Sequence, residues 1–309
     1  MARKVVLDMD PGVDDAIALC VALAAPELNV LAVTATGGNV TPRQATLNVQ
    51  GLIENLDPPR RPRIGAAANE QSLRTDGRFL HGVDGLCGAN LQVAELVNRH
   101  LSLKVLCEEI RQSPGEVTII ATGPLTNIAD MLRSDPLLAE QVGHLIILGG
   151  TIGGPGNITA TAEFNIYCDA ESARQVFRSK MTKTLIPLDM TSQVVMGFEL
   201  LETLKKCDSR TSRLLEKILP GAFRSYRQRL GIEGIYVHDV VATMLALRPE
   251  WFETERLHGD VEAAGDLTHG MTVFDRRPRS DSQPNMDVVV SIDAEEIHGE
   301  IINRLERAS

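Results

Sequence analysis

Along the first two-thirds of the chain, short apolar runs alternate with segments whose apolar residues recur at helical spacing. The first run is Val5, Val6 and Leu7. After Pro11-Gly12 breaks it, Val13, Ile17, Leu19, Cys20 and Leu23 fall into a helical period. Further strands are expected at Leu28–Thr34, Val117–Ala121, His144–Leu148 and Thr184–Leu188, and helices at Pro42–Leu56, Leu125–Leu132 and Ala170–Phe177. The last third changes order. Helical patterns at Leu200–Leu204, Thr211–Leu230 and Val240–Leu247 precede strands at Glu255–Glu262, Met271–Phe274 and Met286–Ser291, and a helix closes the pattern at Ala294–Leu305. Two stretches, Glu70–Gln92 and Gly149–Glu163, are glycine-rich and without period; long loops of this kind often serve as lids or binding loops.

Strand–helix alternation predicts an α/β fold: an open, mostly parallel, Rossmann-like sheet flanked by helices, with extra C-terminal helices and strands. No linker, repeat or low-complexity tract divides residues 1–309, so a single domain is expected.

Polar residues collect where such a sheet places its ligands, beyond the carboxyl ends of the strands. The first strand delivers Asp8 and Asp10, two apart and hence on one face, and the helix after it opens with Asp14 and Asp15. Acids in a first helical turn are favoured by the helix dipole. That covers Asp14 and Asp15 but not the other two. Carboxylates packed this closely repel and lose hydration unless a cation compensates. An all-oxygen cluster without His or Cys suits Ca²⁺ or Mg²⁺ rather than zinc. Later strand ends bring Asn39, Thr122, then Asn157, Glu163 and Asn165, and Asp189. Taken singly, Asn39 reads equally as a turn residue and Thr122 as a helix start. His238-Asp239 sits inside an apolar helical pattern, where a satisfied core pair is the competing reading. No Walker loop or dinucleotide fingerprint is present.

Composition narrows the partners. The formal charge of −10 leaves no basic face for nucleic acid or an anionic membrane, and no apolar stretch is long enough to span a bilayer. The first strand begins almost at once, which leaves no room for a signal peptide. The five cysteines are scattered and odd in number, with neither zinc nor disulfide spacing, so a cytoplasmic location is expected.

The segment VVLDMDPGVDDAIA resembles the aspartate signature of the calcium-dependent, inosine–uridine-preferring nucleoside hydrolases, and the later motifs TGPLTN, AEFN and VHD extend the resemblance over nearly the whole chain. It implies hydrolysis of ribonucleosides to ribose and free base through an oxocarbenium-like state. It also implies Ca²⁺ held by Asp10, Asp15, Asp239 and the Thr122 carbonyl. Asp14, Asn39, Asn157, Glu163 and Asn165 would grip the ribose, with Asp8 in support. His81 and His238 would lie beside the base, Tyr226 on a helical lid, and Asp10 would act as general base. Members are homodimers or homotetramers. Two departures stand out: Leu148 occupies a position where some members carry Met, and the loop before Asn157 is one residue longer. Trp251, the only tryptophan, lies far in sequence from both lids, unlike the tryptophans that stack the base in purine-specific members. Two other classes share part of the pattern. A haloacid-dehalogenase-like phosphatase also begins strand–Asp-x-Asp, but Pro11-Gly12-Val13 replaces its Gly-Thr turn; a non-catalytic ribose- or calcium-binding protein would bind without turnover.

Overall fold

The computed structural model describes residues 2–68, 73–93, 99–278 and 281–308. The Glu70–Gln92 loop expected from sequence therefore begins outside the described residues. Twelve strands are present among those described: β1 (Arg3–Met9), β2 (Leu28–Ala35), β3 (Arg63–Ala66), β4 (His100–Leu101), β5 (Thr118–Ala121), β6 (His144–Leu148), β7 (Lys183–Ile186), β8 (Val195–Met196), β9 (Ile235–Tyr236), β10 (Phe252–Val261), β11 (Thr272–Asp275) and β12 (Met286–Ile292). Ten of them form one sheet in the order β11-β10-β12-β7-β6-β5-β1-β2-β3-β4, while β8 and β9 pair separately.

From β7 to β4 the pairing is parallel throughout. Central parallel strands are covered on both faces, which is why they read as unbroken apolar runs. β1 shows the consequence. Val5, Leu7 and Met9 pack into one core with the Val13–Ala24 and His238–Leu247 helices. Val6 points the other way, into a second core with Ile119, Ile147 and the Thr126–Ser134 helix. The C-terminal strands extend this sheet rather than forming a second one: β12 joins β7 in parallel, and β10 and β11 follow antiparallel.

Helix boundaries follow local chemistry. Pro42 begins the Pro42–Leu56 helix, where a missing N–H costs nothing, behind a Thr41 cap, and Asp57 ends it in the left-handed region. Three sequence expectations need correction. The strand expected over Thr184–Leu188 ends at Ile186, because Pro187 turns the chain into a short helix, Leu188–Thr191. Thr122 is no helix cap; Leu125 holds that position and the Thr122 side chain turns toward the aspartates. The helix expected over Val240–Leu247 begins two residues earlier, at His238, so His238 and Asp239 are part of it and the Asp239 carboxylate sits in its first turn. No helix among the described residues is long and apolar enough to cross a membrane.

Candidate active site

β1 ends beside β2 and β5, with Asp8 in register with Thr34 on one side and Ala121 on the other. The Asp8 Oδ1 accepts from Thr34 Oγ1 at 2.5 Å and from Asn127 Nδ2 at 2.8 Å. Asn127 also donates to the Ala35 carbonyl, so it braces the ends of β1 and β2 together. Past the strand, Asp10 Oδ2 accepts the Asn39 backbone N–H at 2.6 Å. Glycines let the chain approach this close. A Cβ on Gly38 would lie 2.0 Å from Asp10 Oδ2, and one on Gly123 would lie 2.7 Å from Asp10 Oδ1. Gly38→Ala should therefore push the Asp10 carboxylate aside and cost on the order of 10²-fold in kcat/KM, as misplacements of about 1 Å do. Circular dichroism should stay native; unchanged kinetics would show that Asp10 yields without consequence.

The helix that follows opens on Asp14 and Asp15. Asp15 Oδ2 accepts the Gly12 N–H at 2.7 Å, which caps the helix, while Asp15 Oδ1 accepts from Thr122 Oγ1 at 2.8 Å. Asp239 arrives from the far side on its own helix, which packs against the first one. Carboxylate oxygens of Asp14, Asp15 and Asp239 all lie within 4.8 Å of one another, and all three residues are buried. Burial raises every carboxyl here. Asp8 is pushed up to about 7 by burial, against the opposing bonds from Thr34 and Asn127. Asp14 also rises to about 7, through burial and then the Asp15 charge. Asp10 and Asp239 are held well above the usual carboxylate range by burial first and then by the neighbouring aspartates, and Asp15 is raised by burial.

Such a cluster is unfavourable as bare protein, and its donor set fits a hard divalent cation. Asp10 Oδ1 and Asp8 Oδ2 are buried without a hydrogen-bond partner, as acceptors left for a cation would be.

The remaining expected residues divide. Asn165 donates through Nδ2 to the Thr122 carbonyl at 2.6 Å, which brings it to the cluster. Buried Glu163 accepts from the N–H groups of Gly150, Asn165 and Ile166, and so caps the short Phe164–Cys168 helix. Asn157 is exposed on the glycine loop and is joined to this end only through the Phe164 N–H. His81 is buried and its Nδ1 accepts the Val13 N–H at 3.2 Å, which leaves its proton on Nε2. Burial pushes both His81 and His238 down to about 4, with the His81 charge a smaller second cause at His238. Tyr226 is 2% exposed, and burial first, then the charges of Asp14 and Asp239, hold its phenol well above the ordinary value. Sequence reading missed Thr34, Asn127, Gly38 and Thr191, whose roles depend on contacts between distant strands.

The chain matches the family described as inosine-uridine preferring nucleoside hydrolase over residues 5–299. It is 34% identical over 311 aligned positions to the pyrimidine-specific ribonucleoside hydrolase RihA of Shigella boydii serotype 4 (strain Sb227), covering 99% of both chains. Among solved structures it is similar to a plant nucleoside hydrolase, the PpNRh1 enzyme (30% identity, TM-score 0.89, 99% of both chains). It is also similar to a purine-preferring ribonucleoside hydrolase from Gardnerella vaginalis (25% identity, TM-score 0.90, 99% of both chains). These matches set aside the phosphatase and the non-catalytic binding protein. With its open α/β sheet and an aspartate cluster at the carboxyl ends of the strands, the chain belongs to the nucleoside hydrolase family and is a hydrolase of the N-glycosidic bond of ribonucleosides.

Proposed function

We propose that the enzyme is calcium-dependent and that Asp10, Asp15, Asp239 and the Thr122 carbonyl hold the ion. The observation that carries this is the buried carboxylate cluster with the unpartnered Asp10 oxygen beside it. When bound there, a hard divalent cation would supply the positive charge that orients a water and lowers its pKa. Asp10 would take the proton from a water placed to attack the anomeric carbon. Asp14, Asn39, Asn157, Glu163 and Asn165 hold the ribose hydroxyls. Leaving of the base builds positive charge on the sugar, and the surrounding carboxylates favour that charge more than they favour the neutral substrate. His81 and His238 border the base, and Tyr226 closes the helical side.

Uridine and cytidine are the substrates we expect to be turned over fastest. The 34% identity to a pyrimidine-specific relative supports this, as does the location of Trp251, whose ring lies under Arg248. Residues 1–309 act as one domain in a cytoplasmic homodimer or homotetramer; the five unpaired cysteines fit a reducing compartment. A panel of uridine, cytidine, inosine and adenosine, assayed for reducing sugar, tests the reading. Faster release of ribose from the purines would overturn the base preference, and no release from any of the four would overturn the substrate class.

A further inference from the structure

We infer that Thr191 is a positioning residue for His238: its hydroxyl decides which ring nitrogen carries the proton, and so which one can serve the departing base. The inference rests on the reading of His238 as the residue beside that base. Thr191 ends the short Leu188–Thr191 helix and is fully buried, and its Oγ1 lies 2.8 Å from His238 Nδ1. A hydroxyl has one proton to give. The other acceptor within reach is the Leu188 carbonyl at 3.5 Å, the outer edge of a hydrogen bond. Of the two, the 2.8 Å contact is the better placed to receive that proton, and the ring tautomer is what the test below reads. Thr191 donates to Nδ1, and the neutral imidazole keeps its own proton on Nε2, at the far edge of the ring. An Nε2–H is a donor, the form needed to hydrogen-bond a ring nitrogen or carbonyl of the leaving base. Tyr236 lies over the imidazole at 5.1 Å and 24°, so the ring is also held in plane.

The helix that carries Thr191 is itself anchored. The Asp189 carboxylate accepts the N–H groups of Ile152 at 2.9 Å, Gly153 at 3.1 Å and Gly154 at 2.5 Å. Leu188 N–H donates to the Gly150 carbonyl at 2.8 Å. Four residues thus fix the glycine loop on one side and the histidine on the other. Thr191 cannot drift without breaking that loop.

Thr191→Val keeps the shape and removes the hydroxyl, whereas Thr191→Ser keeps the hydroxyl. For inosine the valine variant should lose on the order of 10-fold in kcat, with KM within about 2-fold of wild type. Hydrolysis of p-nitrophenyl riboside, whose leaving group needs no donor, should change by less than about 2-fold, and serine should restore the inosine rate. In wild type, the imidazole ¹⁵N spectrum should show His238 as the Nε2–H tautomer. An Nδ1–H tautomer there overturns the inference even if the valine variant proves unstable. Equal rates for valine variant and wild type, or equal losses on both substrates, overturn it as well. His238→Ala separates the two levels. If that variant is selective for inosine while Thr191→Val is silent, Thr191 alone loses its role. If His238→Ala slows both substrates alike, the reading of His238 falls and takes Thr191 with it.

Discussion

Asp10→Asn should lower turnover by on the order of 10³-fold or more while leaving the fold intact. Asparagine keeps the size of the side chain and one oxygen, but it can neither accept a proton as a base nor offer a second anionic oxygen to a cation. The surroundings make substitution unforgiving. Asp10 is 1% exposed, its Oδ2 already takes the Asn39 N–H, and its Oδ1 has no partner in the protein. If asparagine places its amide nitrogen at the Oδ2 site, that nitrogen meets a backbone N–H, and a donor facing a donor displaces Asn39 too. Both kcat and the affinity for the cation should fall, read separately by steady-state kinetics and by calorimetric titration of calcium. A variant with wild-type kcat would mean that Asp10 is structural and that the base lies elsewhere in the cluster.

Exhaustive chelation should abolish activity, and Ca²⁺ should restore it better than Zn²⁺, because every ligand expected at the cluster is a hard oxygen. A second readout comes from stability. In the metal-free protein burial pushes the Asp8 and Asp14 carboxyls up to about 7, against 3.8 for a freely exposed one. Between those values the native state binds more protons than the unfolded chain, so these groups favour folding at low pH and that contribution is lost as pH rises through about 7. A cation binds the ionised carboxylates and stabilises only the native state. The difference in Tm between calcium-loaded and metal-free enzyme should therefore grow from pH 5 to pH 7.5. Full turnover in protein shown by elemental analysis to hold no metal would refute the calcium dependence, and a pH-independent Tm difference would mean that the ion binds away from these carboxylates.

Much of this was legible in the chain because it is local. The apolar runs of β1, β2, β5 and β6 come from strands buried on both faces, and the helix Pro42–Leu56 announces itself through Thr41 and Pro42. The aspartates of the first turn were readable since no packing argument accounts for four acids at one strand end. Short elements were not: β3 is held by four residues, and its Arg63 is tied to Glu108 and Glu109 at 2.6 Å rather than facing a core. The Ser102–Gln112 helix had no counterpart in the sequence reading, although Val105, Leu106 and Ile110 carry its period. Thr191 escaped for a different reason. A threonine closing one short helical turn after a strand has no signature, and its contact with His238 depends on the approach of a helix from far along the chain. Asn157 shows the reverse: its residue type points to a ligand, but the fold leaves it exposed, with its Oδ1 taken by the Phe164 N–H.

The origin of the cluster in the chain has a consequence for how the protein folds. Asp10, Asp14 and Asp15 emerge within the first turn of synthesis around β1, whereas Asp239 comes from a helix that follows six further strands of the main sheet. Until that helix docks on Val13–Ala24, three mutually repelling acids sit on an unfinished surface with nothing to tie them down. An ion held there as proposed would join the two ends of a long excursion of the chain, much as a disulfide closes a large loop. Refolding in calcium should accordingly show helix and strand content returning before activity, and removal of the ion should loosen the His238–Leu247 helix first, with amide exchange rising there ahead of β5 and β6.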